Sequence, residues 1–312
     1  IVLDRNEHYG WGEQPTVDEV RFIMGQGAPQ IVQRFEAGEV DILQDIPPGE
    51  FNRLRNDPAY EGCWVEMSQG AIRYIFMNVE MPPFDDIRVR QAVWHAVDRE
   101  RLIKLMNGRA DLATGVLPPT LPQHNPDLEG PRHDPELSKS LLADAGFPNG
   151  FESDFYYYQQ ELRQKLAEAI QSDLAEVGIR INLIPRERDV FADEAGIAGR
   201  YPFAMGEWYQ DYADPSNFLE VLLHSKHIRP EASNNYARYS NPAVDALLDE
   251  ARSEANPERR TELYRQAEEL AMADYPWVPL HHEKAYVLHQ PHVSNVNLHP
   301  VDWIELEIVD VE

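Results

Sequence analysis

The chain has 312 residues, with 54 Asp and Glu against 28 Lys and Arg, for a formal charge of −26. A surface this negative repels phosphates, which argues against nucleic acid and anionic membranes as partners. Hydrophobic residues make up 43% and charged residues 26%, ordinary globular usage. At roughly 100–200 residues per domain, the length gives one large or two modest domains with a core that needs no disulfide.

The opening Ile1-Val2-Leu3-Asp4 lacks Met and reads as the end of a strand at a mature or truncated start. Val17–Met24 reads as a strand, Ala28–Ala37 as a helix stopped by Gly38, Val40–Leu43 as a short strand and Pro48–Asn56 as a small helix. Cys63, the single cysteine, excludes an intrachain disulfide and lies in a strand-like run where packing is its ordinary role. Trp64–Met67 and Arg73–Val79 read as strands. Asp85 or Asp86 caps one helix running to about Met106, with Val89, Val93, Ala96 and Val97 on a single apolar face. Leu117–Arg132 is a long proline-rich connection. Asp134 followed by Pro135 opens a helix that Gly146 closes, and Gln160–Val177 is a longer helix closed by Gly178. Ile179–Ile184 reads as a strand and His224–Asn241 as a second loop. Asn241-Pro242 and Asn256-Pro257 open two more helices, before closing strands at Trp277–His281 and Ala285–His289. Alternating short strands and capped helices are the pattern of an α/β chain, and no stretch approaches the 18 apolar residues of a membrane span.

Enzyme signatures are missing. There is no G-x-S-x-G elbow, S-x-x-K, G-x-G-x-x-G, Walker A loop or H-E-x-x-H. His281, His282, His289, His292 and His299 are the densest histidine set. Adjacent histidines in a strand point to opposite faces, so a shared metal is not expected. One segment stands out: Gly206-Glu207-Trp208-Tyr209-Gln210-Asp211-Tyr212-Ala213-Asp214-Pro215-Ser216, between a short strand at Phe203–Met205 and a helix at Asn217–Leu223. Aromatics interleaved with carboxylates can stack on a solute and anchor a cation. The same residues also read as a capping loop, with Asp214 or Ser216 as the cap and the aromatics in the core.

At this segment the sequence resembles the solute-binding proteins of peptide-type ABC transporters, the family 5 group that binds oligopeptides, dipeptides and related solutes. Further motifs match in order: Gly10-Trp11-Gly12 with Pro15-Thr16-Val17-Asp18-Glu19-Val20, and Ala37-Gly38-Glu39-Val40-Asp41-Ile42. They continue with Asn78 and Pro82-Pro83-Phe84-Asp85-Asp86-Ile87-Arg88-Val89-Arg90-Gln91-Ala92, then Asp98-Arg99 and Leu141-Leu142-Ala143-Asp144-Ala145-Gly146-Phe147. Tyr239-Ser240-Asn241-Pro242 and Pro276-Trp277-Val278-Pro279-Leu280 complete the set.

The resemblance implies a two-lobed α/β fold of the type II periplasmic-binding-protein kind, with ligand enclosed between lobes that close about a hinge. Residues 1–71 would be part of lobe I, 72–289 lobe II and 290–312 a return to lobe I. Such proteins carry a long segment before the point where Ile1 stands. The chain therefore resembles a C-terminal portion whose signal or lipid anchor is lost or whose N-terminal part is a separate chain. Apolar surface left uncovered on Val17–Met24 and Trp64–Met67 would be the mark of that.

The implied function is capture of short peptides, in the periplasm or outside the cell, for delivery to the permease subunits of an ABC importer, with no covalent chemistry, cofactor or metal. The same fold carrying an oligosaccharide, a nickel complex or haem is the alternative. In the family's G-W-x-x-D-Y-x-x-P loop an aspartate pairs with the peptide ammonium, and it falls on Asp211, with Trp208, Tyr212 and Pro215 also matching and Glu207 as a departure. Tyr209 joins Trp208 and Tyr212 as a stacking surface. Arg163 is the position implied for a carboxylate partner, its other reading being an exposed helix arginine. Tyr74 and Phe76 are candidate cleft residues on their strand, or core.

Overall fold

Helix starts are set by side chains that satisfy the first free N–H groups. Asp134, Asn241 and Asn256 accept from the backbone N–H of Leu137, Ala243 and Arg259. The prolines that follow stand first in the helices Pro135–Asp144, Pro242–Ser253 and Pro257–Met272. The computed structural model describes residues 1–312 apart from Trp11, Glu13, Gln26, Asp45, Val301, Asp302 and Glu312. Trp11 of the Gly10-Trp11-Gly12 motif thus lies outside the described residues.

The helix expected from Asp86 to Met106 is two helices, Ile87–Ala96 and Arg99–Leu105. Val97 is extended, and the Asp98 side chain caps a second start by accepting from Arg101 N–H. The long helix is Glu161–Glu176. Where the chain leaves it, Gly178 has φ +92° and its carbonyl oxygen lies 1.9 Å from where a Cβ on Gly150 would stand. Only glycine at Gly150 permits that approach. It brings the strands Glu152–Tyr158 and Arg180–Arg186 into parallel pairing over their whole length, in a βαβ unit.

Chain contacts divide the protein into two compact units: Ile1–Gln69 with Lys284–Glu312, and Gly70–Glu283. In the smaller unit the strands Ile42–Leu43 and Trp64–Ser68 pair antiparallel with residues 284–289. Phe35, Phe51, Leu54, Tyr60, Cys63 and Leu288 pack together beneath them. A hairpin of Val2–Asp4 and Glu19–Arg21 leaves Phe22, Ile23 and Met24 exposed, whereas Trp64, Val65 and Met67 are half-buried. The strand read over Val17–Met24 is therefore only three residues long.

The larger unit holds a mixed sheet. Ala71–Met77 pairs antiparallel with residues 277–281 on one side and with Phe203–Tyr209 on the other, and Phe203–Tyr209 touches Glu152–Tyr158 in parallel. Its core is aromatic at the centre. Tyr74 and Trp277, both fully buried, stack with ring centroids 3.6 Å apart and planes 8° apart. The closing strands read at Trp277–His281 and Ala285–His289 are one strand, Trp277–His289.

The connection at residues 117–132 is held by charged side chains, Arg99 and Glu268 buried and Arg265 half-buried, rather than by strands or helices of its own. Glu268 accepts from the N–H groups of Val116 and Leu117 at 2.6 and 2.9 Å. Arg265 donates to the carbonyls of Gln123 and His124, and Arg99 to those of Ala113, Pro131 and Pro279. Burial pushes the Glu268 carboxyl up to about 7, against the two N–H groups that lower it. A carboxyl raised in the fold binds more protons folded than unfolded between its ordinary value and 7, so its stabilising effect is lost as pH rises through that window. Glu268→Gln keeps an acceptor and removes the titration. Relative to the parent, the variant should gain about 3 kcal/mol of unfolding free energy between pH 4.5 and 7, read from urea titrations at several pH values. A parent and variant with parallel pH profiles would refute this.

Candidate functional site

The strand Phe203–Tyr209 runs four residues beyond the Phe203–Met205 expected from sequence, so Trp208 and Tyr209 stand on a sheet rather than in a loop. Its register against Ala71–Met77 fixes the neighbours: Arg73 lies opposite Glu207 and Tyr74 opposite Gly206, and on the far side of Ala71–Met77 His281 lies opposite Arg73. Directly opposed residues share a face, and so do residues two apart. Arg73, Glu207, Tyr209, His281 and Glu283 therefore converge on one face near the strand end.

There they form an ion cluster. Arg73 pairs with Glu207 and, at 2.8 Å, with Glu283, and it donates to the Tyr209 hydroxyl while its guanidinium lies 4.6 Å from the Tyr209 ring centroid. Arg163, in the first turn of Glu161–Glu176, pairs with Glu207 and stacks on Tyr158 at 3.6 Å. Tyr158 donates to Glu207 at 3.2 Å. Burial would pull the Arg73 guanidinium down, but Glu283 and Glu207 hold it above its ordinary value. Burial would raise the Glu283 carboxyl, but Arg73 and His281 hold it well below the carboxylate range. Arg163 is lowered by burial and by the Arg73 charge. The Tyr209 hydroxyl is pushed up to about 12, chiefly by burial.

Past the strand end the backbone bends through Asp211 and Tyr212 and enters a 3₁₀ turn at Pro215–Asn217, then the short helix Leu219–Leu223. The helix read as starting at Asn217 thus begins two residues later. Asp214 caps the turn by accepting from Ser216 N–H, and it pairs with Arg260 at 2.8 Å. Asn217, fully buried, is the organising residue. Its Oδ1 accepts from Asp211 N–H at 2.9 Å and from the Trp208 indole at 3.1 Å, while its Nδ2 donates to the Asp211 carboxylate at 3.1 Å. The Asp211 carboxylate is exposed, and among the described residues its partner is this amide rather than a cation.

The structure thus brings Trp208, Tyr209, Asp211 and Tyr212 together, with Tyr209 and Tyr212 exposed. Arg163 is not an exposed helix arginine; it is buried and already paired. Tyr74 and Phe76 are fully buried in the core of the larger unit. Gly206 has the Tyr74 ring so close that an added Cβ would lie 2.8 Å from it. His281 and His282 are buried in a continuous strand. Burial lowers both rings, His282 to about 4, and His282 faces the Ala71 carbonyl at 2.8 Å. No three His, Cys, Asp or Glu converge as metal ligands among the described residues.

The sequence reading missed Arg73, Glu283, Tyr158 and Asn217. Arg73 carries a signal, a charge inside an apolar strand, which demands a buried partner. Asn217 carries none, since its role exists only once the turn has formed.

The residues 1–230 match the family model of bacterial extracellular solute-binding proteins, family 5. The chain is 32% identical to heme-binding protein A of Haemophilus influenzae over 93% of its length and 27% identical to the dipeptide-binding protein of Escherichia coli over 97%. These alignments take in 53% and 57% of the relatives, so the chain spans about half the length of the curated relatives it matches. The periplasmic binding protein DppA of Helicobacter pylori, solved with the peptide STSA, superposes on the whole chain with a TM-score of 0.84 at 25% identity, over 60% of that structure.

Asn217→Ala removes three hydrogen bonds and leaves the partly buried Trp208 indole and Asp211 N–H without their acceptor. At about 1–3 kcal/mol for a stranded group, the variant should unfold at lower urea with a loss of about 2–4 kcal/mol. Its Trp208 fluorescence should shift as the indole loses its acceptor. An unchanged midpoint would show that the turn holds Asp211 without the amide.

Proposed function

This chain belongs to the bacterial extracellular solute-binding proteins of family 5, whose type II periplasmic-binding-protein fold it shares, and we propose that it captures short peptides for an ABC importer by hinge closure, without covalent chemistry. The observation that carries the reading is Asp211. A carboxylate held by a buried amide, exposed, and flanked by Trp208, Tyr209 and Tyr212 is suited to a ligand ammonium. The charge of −26 favours cationic solutes on approach. The dipeptide-binding and peptide-bound relatives support a peptide. The permease subunits are the partner, and the place of action is periplasmic or extracellular, with membrane association through the transporter or a lost lipid anchor.

Asp211→Asn keeps the shape and deletes the charge. In calorimetry on the full-length protein, a free peptide should lose about 10- to 100-fold in affinity, that is about 1.4–2.8 kcal/mol. The N-acetylated form of the same peptide should bind the parent weakly and lose much less. Equal losses for both forms would leave Asp211 only a support for the bend. The heme-binding relative carries the second reading, the same fold holding haem. A haem titration that saturates, with no peptide bound, moves the function there.

A further inference from the structure

Resting on the peptide reading, we propose that Glu207 selects solutes whose end away from Asp211 carries no carboxylate. Two guanidiniums belong to the cluster, Arg73 against the Tyr209 ring and Arg163 against Tyr158, and a free arginine there would be the natural partner of a ligand carboxylate. Neither is free. Arg73 and Arg163 are 5% and 4% exposed, while Glu207 and Glu283, which pair with them, are 15% and 24% exposed. The groups of the cluster that reach solvent are therefore the two carboxylates and the Tyr209 ring, with the positive charges behind them. The two arginines and two glutamates sum to zero charge. Arg188, 3.8 Å from the second Glu207 oxygen, is mostly solvated and adds a screened charge.

A carboxylate arriving at this rim meets like charge first, at a cost that a carbonyl or amide end avoids. The placement suits a short peptide. Glu207 and Asp211 are four residues apart with Tyr209 between, and since the strand ends at Tyr209 their separation is at most about 13 Å, within reach of an extended tri- or tetrapeptide whose ammonium sits at Asp211. Arg163 is also equipped to change allegiance. Its Nε and Nη1 are buried without a hydrogen-bond partner, so loss of the Glu207 charge leaves a guanidinium with its donors unmatched and a net positive rim.

The test compares one tripeptide as free acid and as C-terminal amide, by calorimetry on the full-length protein. The parent should bind the amide at least as tightly as the acid. Glu207→Gln should move the acid-to-amide affinity ratio toward the acid by about tenfold or more. Arg163→Gln combined with Glu207→Gln removes the pair as a unit and should return the ratio to that of the parent, a readout that mere loss of packing would not move. A folded Glu207→Gln with the parental ratio overturns the proposal. So does a parent that already prefers the acid tenfold, whether or not the variants fold. Failure to bind either form overturns the peptide reading, and this inference with it, whereas an altered ratio with binding retained bears on Glu207 alone.

Discussion

A guanidinium taken out of water has to be matched by charge, and the larger unit is arranged around one such match. Arg73 sits in a strand whose seven residues are all buried. Left unpaired there it would cost several kcal/mol. The register that places Glu207 opposite it, and Glu283 two residues beyond its other neighbour, meets that demand from two strands at once. Sliding Phe203–Tyr209 by one residue would send Glu207 to the opposite face and strand the arginine. The same register carries Trp208, Tyr209 and the bend at Asp211 to the sheet end. The bend that carries Asp211 is thus positioned by a buried ion pair.

The long connection after Val116 uses the same physics differently. Arg99, Arg265 and Glu268 are directed at backbone carbonyls and N–H groups that no strand or helix satisfies. A segment without regular structure cannot be packed inward unless its polar backbone is met. Here three side chains from neighbouring elements meet it, which lets Leu117 and Leu121 enter the core.

Much of this was legible in the sequence where the signal is local. Cap-then-proline pairs announce their helices because both effects act within one turn, and the motifs from Pro82 to Ala92 and around Trp208 carry the family. What escaped depends on partners distant in the chain. The helix break at Asp98 lies inside a smooth apolar period, and only the cap hydrogen bond shows that the turn starts again. His282-Glu283-Lys284 reads as a polar gap between two strands. It is strand throughout, since the cluster satisfies Glu283 and the Ala71 carbonyl meets His282. The strand Glu152–Tyr158 and the helix Arg188–Ala195 escaped notice for want of clean periodicity. Of the candidate site, Asp211 and its aromatics are legible as a local motif. Their supports, Arg73 and Asn217, needed the register and the turn.

The buried cluster has one more consequence, for the environment in which such a protein works. Pairing holds Glu283 below the carboxylate range and Arg73 above its own, burial keeps His281 and His282 neutral, and the Tyr209 phenol is displaced to about 12. Each of these groups has been moved away from neutrality, so each keeps its charge state at neutral pH. The charges that hold the sheet end together therefore stay as they are when the medium departs modestly from neutral.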